Sequence, residues 1–299
     1  MGSECKIMKM RNKEYLYTAS NKGQNKTHLS VIIPTLNEIA YLPQLLDALA
    51  KQTRLPDEII VADAGSKDGT AELAQSRGVR FVHGGMPAVG RNAGARAAKG
   101  DLLLFLDADV LPPPDFIARV LEEFEQKKQD VATCFIAPLD GNPLDGMICV
   151  GTNLYFQIIQ PFSPHAPGFC ILSKRTAHEK MGGFDESLTL SEDIDYARRA
   201  KKNGKFGILS SARIPVSMRR VGKEGLVGLG LKYAWCEIYA LMGKPVRNAP
   251  FGYEFGTFGP ANVSNRLNFF QIRKLHHQWS KLESPMQRIL RNLQEQLGR

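Results

Sequence analysis

The run Leu102-Leu103-Leu104-Phe105-Leu106 ends on Asp107-Ala108-Asp109, and this junction constrains the chain more than any other feature. Five successive aliphatic or aromatic residues without polar alternation describe a strand buried on both faces. Such strands belong to parallel sheets covered by helices. Ending on two carboxylates, the strand carries negative charge to the edge of a core, where it is costly unless a cation or strong donors meet it. In open α/β sheets that edge is also where ligands bind. Two oxygen-donor side chains there suit a hard divalent ion, Mg²⁺ or Mn²⁺, able to hold substrate phosphates. Alone, the tripeptide fits a turn with a solvated carboxylate equally well, so the neighbouring strands must decide.

Those neighbours repeat the arrangement. Leu29–Pro34 is a β-branched run closed by proline, hence a strand. Thr35-Leu36-Asn37-Glu38 has capping-box spacing and predicts a helix from there through about Lys51. A second strand over Glu58–Ala62 leads into the loop Asp63–Thr70, followed by a helix over Ala71–Arg77. A third strand over Val79–His83 and a helix over Ala88–Lys99 precede the Asp107 strand. This alternation predicts a doubly wound, mostly parallel sheet. From Val131 the rhythm changes. Short strands over Val131–Ala137 and Gly168–Leu172 flank a Pro/Gly-rich stretch, Pro138–Pro167, expected to be irregular. A helix over Ile194–Lys202 and strands over Phe206–Leu209 and Ile214–Met218 follow. Helical periodicity returns over 265–299, broken at Pro285.

A net charge of +9 invites a nucleic-acid reading until it is located. Residues 1–28 hold six Lys/Arg against two Glu, and 262–299 hold seven against two; the 26 remaining basic groups meet 26 acidic ones. The body is neutral and nucleic acid is not an expected partner. The basic ends are compatible with solvated tails, or with peripheral contact to an anionic membrane surface. Five cysteines without C-x-x-C spacing suit reduced core thiols and a reducing, cytoplasmic compartment. The first twenty residues lack the apolar run of a signal peptide. Gly225–Gly243, the most apolar long segment, contains Lys232 and Glu237 and is not expected to span a membrane.

Three adjacent strand ends thus offer Thr35, Asn37 and Glu38; Asp63, Ser66 and Asp68; and Asp107 and Asp109. Convergence of carboxylates, hydroxyls and amides on one crevice is what a nucleotide with its metal requires. With these pieces in place the sequence resembles the family 2 inverting glycosyltransferases of the GT-A fold. The resemblance rests on Val31–Glu38, Asp63–Thr70, Arg91-Asn92-Ala93-Gly94, Leu106–Asp109, Gly182–Glu186 and Glu192–Asp195, in order, over roughly residues 29–220.

The resemblance implies a Rossmann-like, mostly parallel sheet flanked by helices, with a helical C-terminal extension. It divides the chain into a polar basic extension (1–28), a catalytic domain (29–220) and a helical extension (221–299). Within the domain, 29–130 is the nucleotide-sugar half and 131–220 the acceptor half. Thr35, Asn37, Glu38, Asp63, Ser66, Asp68, Arg91, Asp107 and Ala108 would hold the donor, with Asp63 on the base edge. Asp109, helped by Asp107, would bind Mn²⁺ or Mg²⁺. Gly183, Phe184, Asp185 and Glu192 would line the acceptor side, and Asp193 would be the general base. The implied reaction is metal-dependent, inverting, non-processive transfer of a sugar from a nucleoside-diphosphate sugar, UDP-sugar foremost, to a hydroxyl or lipid-phosphate acceptor. It would take place in the cytoplasm or at the cytoplasmic face of a membrane. The Q-x-x-R-W motif of processive synthases is absent, since Gln278-Trp279 lacks the spacing. Two alternatives are a non-catalytic nucleotide-sugar binder and a sugar nucleotidyltransferase. No G-x-G-x-x-G follows the first strand, and Arg91-Asn92 replaces the Lys and Ser/Thr of a Walker loop.

Overall fold

A computed structural model of the chain describes residues 27–139, 142–242, 246, 247 and 256. The basic N-terminal segment before Thr27 and the periodic segment over 265–299 lie outside the described residues. One compact unit takes in the described chain up to Met218 and from Cys236 onward; Arg219–Trp235 belongs to a second.

The first half alternates as anticipated. In order come β1 (Leu29–Thr35), α1 (Leu42–Ala50), β2 (Glu58–Asp63), α2 (Thr70–Ser76), β3 (Arg80–His83), α3 (Pro87–Ala97) and β4 (Leu102–Phe105). The second half contains α4 (Phe116–Gln126), β5 (Val131–Pro138), α5 (Pro143–Ile159), β6 (Ile171–Lys174), α6 (Arg175–Lys180), α7 (Glu192–Asn203) and β7 (Phe206–Val216). The second unit holds α8 (Arg219–Glu224) and the start of α9 (Leu226–Leu241). Seven strands form one sheet in the order β3-β2-β1-β4-β6-β5-β7. All neighbours are parallel except at β6, which runs against both β4 and β5. β4 is buried at all four positions, as its unbroken apolar run requires.

Three expectations need correction. The capping box at Thr35 and Glu38 does not open a helix. The Thr35 hydroxyl is spent on Asp63, and α1 begins only at Leu42, with proline in its first turn. Pro138–Pro167 is not irregular: Asn142 caps the 17-residue helix α5 by accepting from the Leu144 N–H, and the proline that looked like a breaker sits at the helix start. The two strands predicted over 206–218 are one strand, β7, irregular where Cys134 pairs with Leu209 but Phe135 pairs with Arg213. Two of the three skipped residues keep their amides satisfied because Ser210 and Ser211 N–H groups donate to Glu123 on α4, at 3.0 and 2.7 Å. Burial works against the Glu123 charge, but Lys127 and these donors prevail and hold its pKa down to about 2.

α3 lies directly on β1. A Cβ built at Gly94 would run into the Ile32 side chain, which is itself fully buried. Gly94→Ala is therefore expected to cost about 1–3 kcal/mol through overpacking, read as a lower midpoint in urea unfolding with an unchanged slope.

Candidate active site

The parallel order of β3, β2, β1 and β4 brings their C-terminal ends to one edge, where the loops are tied to one another by side chains. Asp63, at the end of β2, is buried and saturated. It accepts from the Thr35 hydroxyl (2.9 Å) and from the Gly65 and Ser66 N–H groups (2.9 and 2.8 Å), with the Ser66 hydroxyl as a further donor. Asn37 adopts a left-handed backbone (φ 55°) and joins the two loops: its N–H donates to Ser66 Oγ, and its Oδ1 accepts from the Lys67 N–H. Asp68 accepts from the Ile39 and Thr70 amides, and Thr70 in turn accepts from the buried Glu38 N–H. These donors, with the Thr70 hydroxyl, outweigh the cost of burial and leave the Asp68 pKa below the ordinary carboxylate range. The residues read as donor-binding thus build one braced floor.

β4 releases the chain at Leu106, and the following loop is pinned from the other side. The Ser217 N–H donates to the Asp109 carbonyl, Leu111 N–H donates to the Pro215 carbonyl, and Val110 bridges Val216. Ala108 is buried, whereas Asp107 and Asp109 are partly open.

The centre of the site is Arg91, 3% exposed on α3. Its Nη2 lies 2.9 Å from Asp107 and its Nη1 2.7 Å from Glu192, so one guanidinium joins the end of β4 to the start of α7. The guanidinium carbon also stands 5.5 Å over the Phe184 ring. Gly168 packs against the same group: a Cβ there would strike Arg91 and approach Asp107 within 3.3 Å. The Gly168 N–H donates to Asp193 Oδ2 at 3.0 Å, and Ile194 N–H donates to Oδ1 at 2.8 Å. Asp193 therefore sits at the Asp107 mouth, one backbone amide away from the Arg91 contact.

One cation facing three carboxylates sets the electrostatics. Burial opposes the Arg91 charge, but Asp107, Glu192 and Asp193 together raise its pKa. Burial and the Asp193 charge push Glu192 above the ordinary carboxylate range, against the pull of Arg91. Burial likewise raises Asp193, against Arg91 and its two amide donors. A carboxylate so placed holds its proton to higher pH than a solvated one, which suits a group that must accept a proton near neutrality.

The Gly182–Glu186 turn is held by Asn92, the neighbour of Arg91. Asn92 donates to the Phe184 carbonyl and to Glu186, and accepts from the Phe184 N–H. Gly182 and Gly183 both take positive φ (74° and 75°), and a Cβ at Gly183 would press on Asn92. Gly183 and Phe184 stand behind the site: Phe184 is buried and stacks on Tyr196 with centroids 4.1 Å apart. Asp185 is occupied within the turn, accepting from Ser187. Four supporting residues escaped sequence reasoning: Asn92, Gly168, His165 and Glu237. Only Asn92 left a signal, standing inside the quoted Arg91–Gly94 block. His165 is buried between the Ser163 carbonyl (2.7 Å) and Glu237 (2.6 Å), a pairing no local pattern could announce.

The comparisons agree with this architecture. The fold superposes on glucosyl-3-phosphoglycerate synthase from Mycobacterium tuberculosis, solved with Mn²⁺ and UDP-glucose, with a TM-score of 0.53 at 16% identity, over 81% of this chain and 92% of that one. An uncharacterized glycosyltransferase of Haemophilus influenzae is 39% identical over 192 residues, 60% of this chain and 63% of the relative. An undecaprenyl-phosphate 4-deoxy-4-formamido-L-arabinose transferase of Pseudomonas fluorescens is 37% identical over 118 residues, 35% of this chain and 34% of the relative. The chain spans between about a quarter and just under two thirds of the length of such relatives. The model of the family described as glycosyl transferase family 2 matches residues 30–182, slightly more than half of the sequence, and by that match the chain belongs to glycosyl transferase family 2.

Proposed function

We propose that the protein transfers a sugar from a nucleoside-diphosphate sugar to an acceptor oxygen, with inversion at the anomeric carbon. The single observation that carries this reading is the anchoring of Asp193 to Gly168, beside Arg91 and Asp107. A carboxylate of raised pKa next to a donor mouth supports a transferase over a protein that merely binds nucleotide sugars. The acceptor oxygen forms a bond to the anomeric carbon, the bond from that carbon to the diphosphate breaks, and an acceptor hydroxyl gives its proton to Asp193.

The donor set fits a divalent cation. Asp107 and Asp109 supply hard carboxylate oxygens one residue apart, at a strand end whose loop is pinned by Ser217 and Val216. Among the described residues no cluster of three or more His, Cys, Asp or Glu forms a complete cage. Few protein ligands, with substrate phosphate oxygens and water completing the shell, is the usual manner of Mg²⁺ and Mn²⁺. When bound, such an ion would neutralise charge developing on the leaving diphosphate. Thr35, Asn37, Glu38, Ser66 and Asp68 shape the floor on which the nucleoside would lie. Arg91 acts from beneath by fixing Asp107 and Glu192.

UDP is the first nucleotide to test, and a lipid phosphate is the acceptor class suggested by the name of the Pseudomonas fluorescens relative; the cytoplasmic face of a membrane is the location we assign to that transfer. No helix of the described residues is long and apolar enough to cross a membrane.

Thermal shifts with UDP, GDP and dTDP, each with and without Mn²⁺, test the reading. At a ligand concentration 100 times Kd the stabilisation is about 2.7 kcal/mol. Asp109→Asn is expected to remove the metal-dependent part of the shift while leaving the unliganded melting temperature within a few degrees. A metal-dependent shift of undiminished size in that variant would overturn the metal assignment, and no response to any nucleotide would overturn donor binding itself.

A further inference from the structure

We infer that the outer face of α5, with the turn that follows it, is a docking surface for an anionic lipid membrane. An ordinary surface helix turns its apolar stripe inward. α5 does the reverse. Met147, Val150, Leu154, Ile158 and Phe162 are spaced by three, four, four and four residues, so they form one stripe, and all are exposed, Phe162 by 79% and Met147 by 65%. The opposite face buries Asp145, Cys149, Asn153 and Phe156, and Asn153 clamps both the N–H and the carbonyl of Ile136 on β5. The inward face is therefore already committed to the sheet, and the outward stripe has no counterpart there.

Charge selects a lipid surface as the occupant. From Gly146 to Pro164 the sequence contains no Asp, Glu, Lys or Arg, so nothing on the stripe resists burial in hydrocarbon. Cations stand at its end instead. Lys201 Nζ donates to the Pro161 and Gln160 carbonyls (2.6 and 3.1 Å), and Arg198 reaches Ser163, placing two positive side chains against the turn that presents Phe162. An apolar face bordered by Lys and Arg, with an aromatic residue at the boundary, is the composition that lies in the headgroup region of anionic membranes. At 17 residues, and with one face on β5, α5 is suited to lie along the surface rather than cross it. The surface also leads to the site. The chain passes from Phe162 through His165 to Gly168, the residue whose amide holds Asp193. A membrane-borne acceptor would thus be presented next to the base, so the inference extends the transfer reading to its acceptor side; the docking itself does not require that reading to hold.

The test is flotation of the full chain with vesicles of phosphatidylglycerol and phosphatidylcholine, against pure phosphatidylcholine. Wild type is expected to float with the anionic vesicles, less at high salt. Leu154→Glu/Ile158→Glu should lower vesicle affinity at least tenfold, and Lys201→Gln about fivefold. Circular-dichroism melts should be unchanged, because these side chains are exposed. Donor-induced thermal shifts should also be unchanged, because the variants touch no donor-site residue. Undiminished flotation of the double variant would overturn the inference and assign binding to the basic chain ends. Failure of wild type to bind would overturn it as well. So would sedimentation showing a dimer that the double variant splits while flotation persists, since a second copy would then be the occupant. Vesicle binding without any nucleotide response would leave the inference standing and sink the transfer reading instead.

Discussion

Asp193→Asn is expected to lower the transfer rate by about 10²–10⁴-fold, the usual worth of a positioned general base, while donor-induced thermal shifts stay as in wild type. Asparagine keeps one oxygen for one of the two amides, which bind different oxygens of the aspartate, and its NH₂ group faces the other, so the loop retains one of its two anchors. Stability gives a second readout. A carboxylate whose pKa is raised in the folded state adds stability below its unfolded pKa and loses it as pH rises through the folded value. Burial raises Asp193 in this way, so at pH 7 its charge is a burden whose removal offsets the roughly 1–3 kcal/mol cost of the unpaired amide, and the asparagine variant should melt within a few degrees of wild type. The pH profile completes the case. In wild type kcat/KM should climb through an acid limb lying above the normal range for aspartate, as the base loses its proton. In the variant that limb should disappear. Full turnover by Asp193→Asn would remove the assignment.

The parts of this site that were legible in the sequence are those controlled by neighbours along the chain. The unbroken apolar run before Asp107 announced a buried strand, and β4 is one, because no polar side chain interrupts its two covered faces. The Gly182–Glu186 block that carried part of the resemblance opens on two glycines, and both adopt the left-handed backbone that favours glycine. Errors arose where a local signal was outbid by a distant partner. Thr35 and Glu38 have the spacing of a capping box, but Asp63, 28 residues away, takes the threonine hydroxyl. Ser210 and Ser211 look like a break between strands, yet Glu123, 87 residues earlier in the chain, satisfies the first amide and keeps β7 continuous. The proline and glycines over 138–167 suggested irregular chain, although Pro143 occupies the first turn of α5, where its missing N–H costs nothing. The role of Arg91 lay furthest from view. Its motif placed it near the donor, but only the fold brings Asp107, 16 residues on, and Glu192, 101 residues on, to the two ends of its guanidinium.

That arrangement supports a large stability effect at a single position. Arg91→Met keeps most of the side-chain volume and removes the charge, leaving Asp107, Glu192 and Asp193 without the cation that offsets their mutual repulsion. Breaking a buried ion pair by deleting one partner costs about 3–5 kcal/mol, because the remaining charge is stranded. Against a typical total of about 5–15 kcal/mol the variant should still fold, with a markedly lower urea midpoint at pH 7. The loss should depend on pH in a definite direction. With Arg91 gone, burial and like charge raise Glu192 and Asp193 further, so each of these two adds stability only while protonated. The deficit should therefore shrink as pH falls towards 5 and widen above 7. Glu192→Gln placed on the same background should return part of the lost stability by removing one stranded charge. The two substitutions should thus be less costly together than the sum of their separate effects, as expected for residues in direct contact. A loss below about 1 kcal/mol at pH 7, or one indifferent to pH, would mean that the three carboxylates do not depend on Arg91. The link it makes between the donor mouth and the base would then be one of packing against Phe184 and Gly168 rather than of charge.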